Sequence, residues 1–430
     1  MTRRRLGPEV DSVVSNISTA DQFERTQKII LFLGASPQQL APIKYAKQAG
    51  FRVITCDNRP ENPGHRLAHV FYDISTTDMQ AVYRVASDHA VDAVIAYGSD
   101  VGAPTAAWVA ERLGLRGNRY DAVITLTNKG KFRKFQKERG YFTPNFLILD
   151  QDHLEKIHGS YAQIINELRL PFIVKPVDAS GSKGISRIHE VEQLPRAVAL
   201  AAMHSRSSGV VIEELVPYVG YQICGEGFLH DGKIIFHAFA DEHFATGILP
   251  PVGETFPSFV SEEQVQQGID VLQRIFDDVG MRRGPFNFDL VYLATGEVFV
   301  IEIGPRNGGN RMPEAISAAY GVDMIDATIK SALGFNVTLD RRWSRYCATY
   351  SVHSNKSGIF RSIEYDQKIQ SHIMSEQIFV VSGDRVERFE QGGNMLGCLI
   401  LSFDSHKQMI SKMNEMGQLV RVSVDDVNGD

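Results

Sequence analysis

Pro171 to Ile188 reads PFIVKPVDASGSKGISRI, and the fold turns on how this stretch is read. Phe172-Ile173-Val174-Lys175 is a short apolar run ending in a lysine, and Gly184 to Ile188 alternates apolar with polar. Both have the period and β-branched content of strands. Between them lies Asp178-Ala179-Ser180-Gly181-Ser182-Lys183-Gly184, a loop of small residues carrying one cation. Small residues let backbone N–H groups turn toward an anion, and a lysine adds a point charge. Two readings follow: a hairpin loop folded over nucleotide phosphates, or an ordinary glycine-rich hairpin. No G-x-x-x-x-G-K-[S/T] motif is present, so this is not a Walker loop.

Around this stretch, 430 residues predict two to three domains, and 43% hydrophobic with 22% charged residues is ordinary globular composition. A net charge of −6 gives no electrostatic reason to expect nucleic acid or an anionic membrane as partner. Cys56, Cys224, Cys347 and Cys398 are scattered without a C-x-x-C pair, which indicates neither a zinc site nor a disulfide framework. Arg3-Arg4-Arg5 precedes no apolar secretory core, and no apolar span is long enough to cross a bilayer. A cytoplasmic location is expected.

Residues 1–27 read as a loosely ordered arm. From Lys28 the pattern is strand (KIILFL), tight turn (Gly34 to Pro37), helix (Gln38 to Ala49) and strand (Phe51 to Cys56). This β-α-β unit predicts parallel strands in a domain over 28–125. A second unit runs from Val91 to Leu113, with Ser99 and Asp100 in the loop at a strand's C-terminal end, where open α/β sheets bind ligands. Helix capping explains Asp100 or its neighbours equally well. A basic helix, KGKFRKFQKERG, opens at Lys129. Most of its charge reads as a solvated face, but Lys129 beside a helix N-terminus suits a phosphate.

Further on, VVIEELV (Val210 to Val216) runs an apolar strand into Glu213 and Glu214. These acids are either acceptors for an adenine amino group or ribose hydroxyls, or a strand end at the solvent edge. Gln222 to His230 and Lys233 to Ala240 read as a hairpin, followed by a Pro/Gly-rich loop, Gly247 to Pro257. Phe286 to Tyr292 and Val298 to Ile303 form another hairpin, in which Asp289 and Glu302 interrupt apolar strands. Buried carboxylates are costly unless paired or metal-bound, and two on adjacent strands suit a shared Mg²⁺. Gly304 to Arg311 (GPRNGGNR) adds Arg306, Asn307 and Arg311, and guanidinium forks suit a carboxylate or phosphoryl group.

Taken in order from about residue 125 to 335, these segments resemble the ATP-grasp superfamily of carboxylate–amine ligases, of the L-amino-acid-ligase and carbamoyl-phosphate-synthase large-chain kind. The resemblance rests on Lys129, Lys175 in VKP, the loop Ser180 to Gly184, VVIEELV, FNFDLVY and FVIEIGPR. It implies an α/β and α+β chain. A Rossmann-like parallel-sheet domain (28–125) precedes an ATP-grasp domain (126–338, with 145–216 a lid-like ATP subdomain), and a small α+β domain (339–430) follows, including Gln391 to Asn394. It implies ATP and Mg²⁺ or Mn²⁺ as cofactors. Lys129, Lys175, Ser180, Gly181, Ser182 and Gly184 would meet the phosphates. Glu213 or Glu214 and the backbone of Leu215 and Val216 would meet adenine, and Gln222 would stand where the ribose-binding acid is usual. Asp289 and Glu302 would hold metal. Gly304 occupies the position of the family's usual asparagine, so Asn307 is the candidate replacement. Arg306, with Arg311 second, would hold the carboxylate or the transferring phosphoryl group.

The implied reaction phosphorylates a small-molecule carboxylate and lets an amine, expected to be an amino acid, displace phosphate. A carboxylase or phosphotransferase using a non-amino-acid substrate, or a catalytically silent ATP binder, are the alternatives. His237, His243 and His353 are the histidines considered as bases toward the amine. Homodimerisation, common among similar proteins, is left open by the sequence.

Overall fold

The computed structural model describes residues 27–150, 152, 161 and 166–426. The N-terminal arm expected over 1–27 therefore lies, except for its last residue, outside the described residues. So does most of the helix expected before Leu170.

The first unit is built as the β-α-β pattern requires. Strands β1 (Ile29–Leu33), β2 (Arg52–Cys56), β3 (Val70–Tyr72) and β4 (Ala93–Ile95) form a parallel sheet ordered β3-β2-β1-β4. The helix expected from Gln38 starts as a single 3-10 turn, Pro37–Gln39, before α1 (Leu40–Gln48). Proline fixes the first turn, and the Gln39 side chain accepts from the Ser36 N–H at 2.9 Å. Helices α2 (Met79–Asp88) and α3 (Ala103–Leu113) follow, then α4 (Tyr120–Thr127) and the basic α5 (Lys129–Glu138).

A separate antiparallel sheet, ordered β5-β8-β6-β7, contains β5 (Phe146–Leu149), β6 (Phe172–Pro176), β7 (Ser186–Ile188) and β8 (Val210–Glu214), with α6 (Leu194–His204) packed on it. The opening stretch is thus the β6-β7 hairpin, as its alternation predicts.

The largest sheet includes β9 (Val219–His230), β10 (Lys233–His243), β11 (Gly253–Phe256), β12 (Gly284–Tyr292), β13 (Val298–Gly304), β14 (Tyr346–Val352), β16 (Ile373–Ile378) and β18 (Gly397–Phe403). Its order is β13-β12-β9-β10-β11-β14-β18-β16. Here the structure differs from the sequence reading. Residues 253–256, placed in a Pro/Gly-rich loop, are strand β11, paired to both β10 and β14. Val252, Glu254 and Phe256 alternate at period 2, a pattern masked by the prolines on either side. Through β11 the sheet runs unbroken across the boundary at 338/339. What lies apart is a three-stranded sheet, β17-β15-β19, formed by β15 (Gly358–Tyr365), β17 (Arg385–Val386) and β19 (Val420–Asp425).

One face of the large sheet is sealed by α7 (Glu262–Val279), capped by Ser261 and closed by Gly280 at φ 79°. Its Leu272, Ile275 and Phe276 pack against Phe286, Phe288 and Phe239. Two glycines on β9 make room for those rings. A Cβ at Gly225 would lie 2.4 Å from Phe288 Cζ and 2.3 Å from the Ala238 carbonyl, and one at Gly227 would lie 2.3 Å from Phe286 Cζ. Neither the backbone nor a core ring yields cheaply in a close-packed interior.

Gly225→Ala is therefore expected to cost about 1–3 kcal/mol through overpacking, read as a lower thermal midpoint. Gly417→Ala, in a helix with nothing within 4 Å of the new Cβ, is expected to be neutral or stabilising by under about 1 kcal/mol. Equal midpoints for the two variants would contradict this account of β9.

Candidate active site

Side chains at alternate positions of a strand share a face. Opposite α7, that face of the large sheet floors a cavity of about 620 Å³. Asp289 on β12, Gln222 and Cys224 on β9, Glu242 on β10, Glu254 on β11 and Ser351 on β14 all line it. Asp289 and Glu302 are direct cross-strand partners, and so are Glu242 and Glu254. The floor thus carries two pairs of facing acids. Like charges placed opposite each other are unfavourable, so each pair needs either a cation beside it or a proton held on one of its carboxyls.

On one side the cation is supplied by the protein. Lys129, the first residue of α5, ion-pairs with Glu302 at 3.2 Å and donates to the Ala179 carbonyl at 2.9 Å. It holds Glu302 down at about 2 against the opposing effect of burial. Asp289 is pushed well up, first by burial and then by Glu302. One ionised and one destabilised carboxylate, side by side and facing the cavity, are a donor set for a hard divalent ion. Among the described residues no group of three or more His, Cys, Asp or Glu is arranged to hold a metal, so further oxygens would have to come from a ligand.

Lys175, next to last in β6, lies in the same cavity and ion-pairs with Glu213 of β8. Glu213 also takes Arg133 Nε at 2.9 Å. Burial would raise Glu213, but Arg133 and then Lys175 outweigh it and hold it at about 2. Burial pulls Lys175 down more strongly than Glu213 pushes it up. The direction that decides the cluster's state is that of Glu213, which has two cations against it. Arg133 is fully buried. It is the exception on α5, whose Lys131, Lys134 and Lys137 are exposed as a solvated charged face should be: Arg133 donates to Gln136 and to the Ile301 carbonyl, and Gln136 to the Val300 carbonyl. The available signal was spacing, because Arg133 lies four residues after Lys129, on the same side of the helix.

The remaining residues singled out in the sequence divide into two groups. Ser180, Gly181, Ser182, Glu214, Leu215, Val216 and Arg306 line the cavity with those above. Gly181 and Ser182 have φ of 65° and 59°, and the Gly181 carbonyl accepts from the Gly392 N–H at 2.9 Å, so the loop touches the C-terminal segment. Glu214 accepts from Asn145 and from the Arg169 N–H. Gly184, Asn307 and Arg311 are engaged elsewhere. Gly184 (φ 70°) sits where a Cβ would lie 2.8 Å from His204 Cβ, so packing on α6 fixes it as glycine. Asn307 is buried, donating to Glu226 at 2.6 Å and accepting from Thr328 at 3.0 Å. Arg311 donates to Ser375 and pairs loosely with Glu314.

Arg306 is held by Asp100 through two bonds, Nε at 2.7 Å and Nη2 at 2.6 Å, while Nη1 donates to Asn287 and to the Asn307 carbonyl. With five N–H donors on a guanidinium, one N–H on Nη2 remains for the cavity. Asp100 thus positions Arg306 rather than capping α3, whose N-cap is Gly102; Ser99 Oγ accepts from the Gly102 N–H in the turn before the helix. The same pair explains Gly304: a Cβ there would lie 2.8 Å from both Arg306 Cζ and Asp100 Oδ1. An asparagine at 304 and the Asp100–Arg306 pair exclude one another.

None of His237, His243 and His353 lines the cavity. Burial pulls His237 and His243 down to about 4, and lowers His353. Glu242 and Glu254 come from the segment Asp241 to Pro257, from which the sequence leads one to expect pocket side chains, whereas Asn287 of the floor, Ser36, Gln38 and Arg59 of the first unit, and Phe389 and Met395 near the C-terminus are contributions the sequence did not reveal.

Residues 168–314 match the family model of the ATP-grasp domain. The chain is 31% identical over 204 residues to the uncharacterized protein y4rH of Sinorhizobium fredii, covering 46% of this chain and 41% of that protein. The chain therefore spans under half the length of that relative. It is 23% identical over 325 residues to a formate-dependent phosphoribosylglycinamide formyltransferase of Synechococcus, covering 72% and 77% of the two chains. An L-amino acid ligase from Bacillus licheniformis superposes with a TM-score of 0.78 at 18% identity, covering 94% of this chain and all of that one. The biotin carboxylase domain of the Hydrogenobacter thermophilus 2-oxoglutarate carboxylase, solved as a dimer with MgADP, ADP and bicarbonate, superposes with a TM-score of 0.70 at 16% identity, covering 93% and 92%. The fold is ATP-grasp.

Arg133→Leu leaves Glu213 and Lys175 buried with unbalanced desolvation and is expected to cost about 3–5 kcal/mol. In the parent protein Glu213 is held below its ordinary value of 4.5, at about 2. Its contribution, on the order of 3 kcal/mol, is present above pH 4.5 and is lost as pH falls toward 2. Denaturant unfolding of Glu213→Gln and parent protein between pH 2 and 7 checks this. Their stabilities are expected to converge in acid, and parallel curves would refute the assignment.

Proposed function

We propose that this ATP-grasp chain is an ATP- and Mg²⁺-dependent ligase that activates a substrate carboxylate as an acyl phosphate and joins it to an amine, an amino acid, releasing ADP and phosphate. The observation that carries it is the in-register acid pair Asp289–Glu302 in one cavity with Lys129, Lys175 and Arg306. A carboxylate oxygen is a poor leaving group, and phosphoryl transfer from ATP converts it into a good one. That transfer asks chiefly for positioning and charge compensation, and these side chains are suited to both.

The chain's own residues divide the work. Lys129 and Lys175 set positive charge beside the phosphates, while Glu213 and Arg133 fix where the Lys175 ammonium points. Backbone groups of Leu215 and Val216 lie where β8 ends and suit an adenine edge, with Glu214 and Gln222 beside them. The loop Ser180 to Ser182 covers the phosphates, and its contact with Gly392 favours the closed state. Arg306, braced by Asp100, offers its remaining N–H to the carboxylate or the transferring phosphoryl group. Asp289 and Glu302 would hold Mg²⁺, or Mn²⁺, which supplies Lewis-acid charge neutralisation on the phosphate oxygens. Neither Asn307 nor Arg311 has a part in this reading.

The likeness to the formyltransferase and the carboxylase domain favours a second reading, in which the activated acid is formate or bicarbonate rather than an amino acid. Both readings use small-molecule substrates and the same phosphate chemistry. Among the described residues no helix is long and apolar enough to cross a membrane. All four cysteines are buried and free, which suits a reducing cytoplasm.

The test is ADP and phosphate release from Mg·ATP, with free amino acids singly and in pairs, and with formate and bicarbonate plus each amine. Release that needs a particular acid and amine is expected. Asp289→Asn and Glu302→Gln are each expected to lower it by about 10²–10³-fold, the range for removing one transition-state electrostatic contact. Release at the parent rate in both variants, or none with any mixture, would defeat the proposal.

A further inference from the structure

The second facing pair of acids, Glu242 and Glu254, has no part in the chemistry above. Glu242 has a partner in the Gln222 amide at 2.5 Å. Glu254 differs. It is 3% exposed, lines the cavity, and its Oε2 has no hydrogen-bond partner. Asn310 hydrogen-bonds its side chain, and burial pushes the carboxyl up to about 7 against that bond. Among the described residues no lysine, arginine or histidine ion-pairs with it. A buried acceptor left open is expensive, and a carboxylate more so than a neutral group. An acid that faces another acid across adjacent strands compounds the cost.

The surrounding backbone holds this arrangement in place. The Glu254 N–H donates to Thr349 Oγ1 at 3.2 Å, tying β11 to β14. Asn310 and Arg311 both have left-handed backbones, with φ of 53° and 61°. Two adjacent non-glycine residues in that region are strained, and such strain persists where a site needs a side chain aimed in one direction. Here the side chain so aimed is Asn310, which meets Glu254. Both line the cavity with Glu242 and Ser351, and the group this corner lacks is a compact cationic donor. An ammonium has three N–H donors and one positive charge, and it satisfies Glu254 Oε2 while lying between two carboxylates.

We propose that Glu254, positioned by Asn310 and supported by Glu242, binds the α-ammonium group of an amino acid serving as the carboxylate substrate, a nitrogen distinct from the neutral amine that attacks the acyl phosphate. This rests on the ligase reading and deepens it. The site selects a substrate bearing a free primary ammonium over the same acid without one. Specificity for the ammonium is thereby separated from the phosphate machinery at Asp289 and Glu302, with β9 between the two acid pairs.

The experiment uses the full-length protein and its Glu254→Gln variant, with each amino acid compared with its desamino carboxylic acid. Losing a charge-assisted hydrogen bond is expected to raise KM for the amino acid by about tenfold or more, with KM for ATP unchanged. The parent protein is expected to discriminate strongly against the desamino acid, and the variant much less. Because Glu254→Gln removes one of two facing acids, its thermal midpoint should equal or exceed the parent's. If it does not fold, Glu254→Asp, which keeps the charge but shortens its reach, is expected to show the same KM shift. An unchanged KM in the folded variant, or equal use of the desamino acid by the parent, overturns the proposal. Calorimetric titration of the same amino acids without nucleotide separates the two inferences. Binding that disappears in Glu254→Gln, with no ADP formed from any mixture, keeps the ammonium pocket and defeats the ligase. ADP formation driven by acids lacking an amine does the reverse, and no binding of any amino acid by either measurement overturns the pocket.

Discussion

One carboxylate, Glu213, holds two cations in the buried wall of the cavity, and much of the molecule is arranged around that fact. Its partners come from different elements: Lys175 from β6 and Arg133 from α5. Arg133 then reaches the Ile301 carbonyl on β13, and Gln136, one turn on, reaches Val300. A chain of charge-assisted bonds therefore runs from the small sheet through α5 to the edge of the large one. Buried ion pairs of this kind are seldom a net gain in stability, but breaking one is costly. Their value here is geometric. They fix the angle between the two sheets that enclose the cavity, and they set the ammonium of Lys175 at a defined point within it.

The second constraint is steric. With an asparagine at 304 the Asp100–Arg306 pair would have no room. The protein has instead used that space to anchor a guanidinium to the first unit. Arg306 belongs to the ATP-grasp unit and Asp100 to the parallel-sheet unit, so the pair couples them at the cavity. A metal at Asp289 and Glu302 must then complete its shell with oxygens from phosphates or water, which is the ordinary habit of Mg²⁺.

How much of this was legible depended on whether a residue's neighbours in sequence were also its neighbours in space. The parallel unit, both hairpins and the acids Asp289 and Glu302 were readable because a charge inside an apolar strand stands out locally. Lys175 was readable for the same reason, and Lys129 by its place at the start of a helix. Arg133 was hidden among five other basic residues from Lys129 to Arg139, and only the packing of one helical face distinguishes it. Strand β11 was obscured by flanking prolines, although Val252, Glu254 and Phe256 carry its alternation. Asn307 looked like a ligand only by resemblance, as a replacement for the asparagine absent at Gly304, yet its amide is used at both ends by Glu226 and Thr328, partners 81 and 21 residues away.

The same principle separates the two halves of the cavity. Groups suited to phosphate come from several elements too, but each stands out within its own short motif, as a charge in an apolar strand or at a helix start. The opposite half is assembled from Arg59 of the parallel unit, Glu254 of β11, Asn310 after β13, and Phe389 and Met395 near the C-terminus. No segment holds more than a fragment of that surface. A substitution in any one of these elements can change which substrate fits while leaving the phosphate site untouched. For that reason substrate identity is the property least visible in the linear sequence, and a buried acid with one oxygen unmatched is the most direct trace of it in the fold.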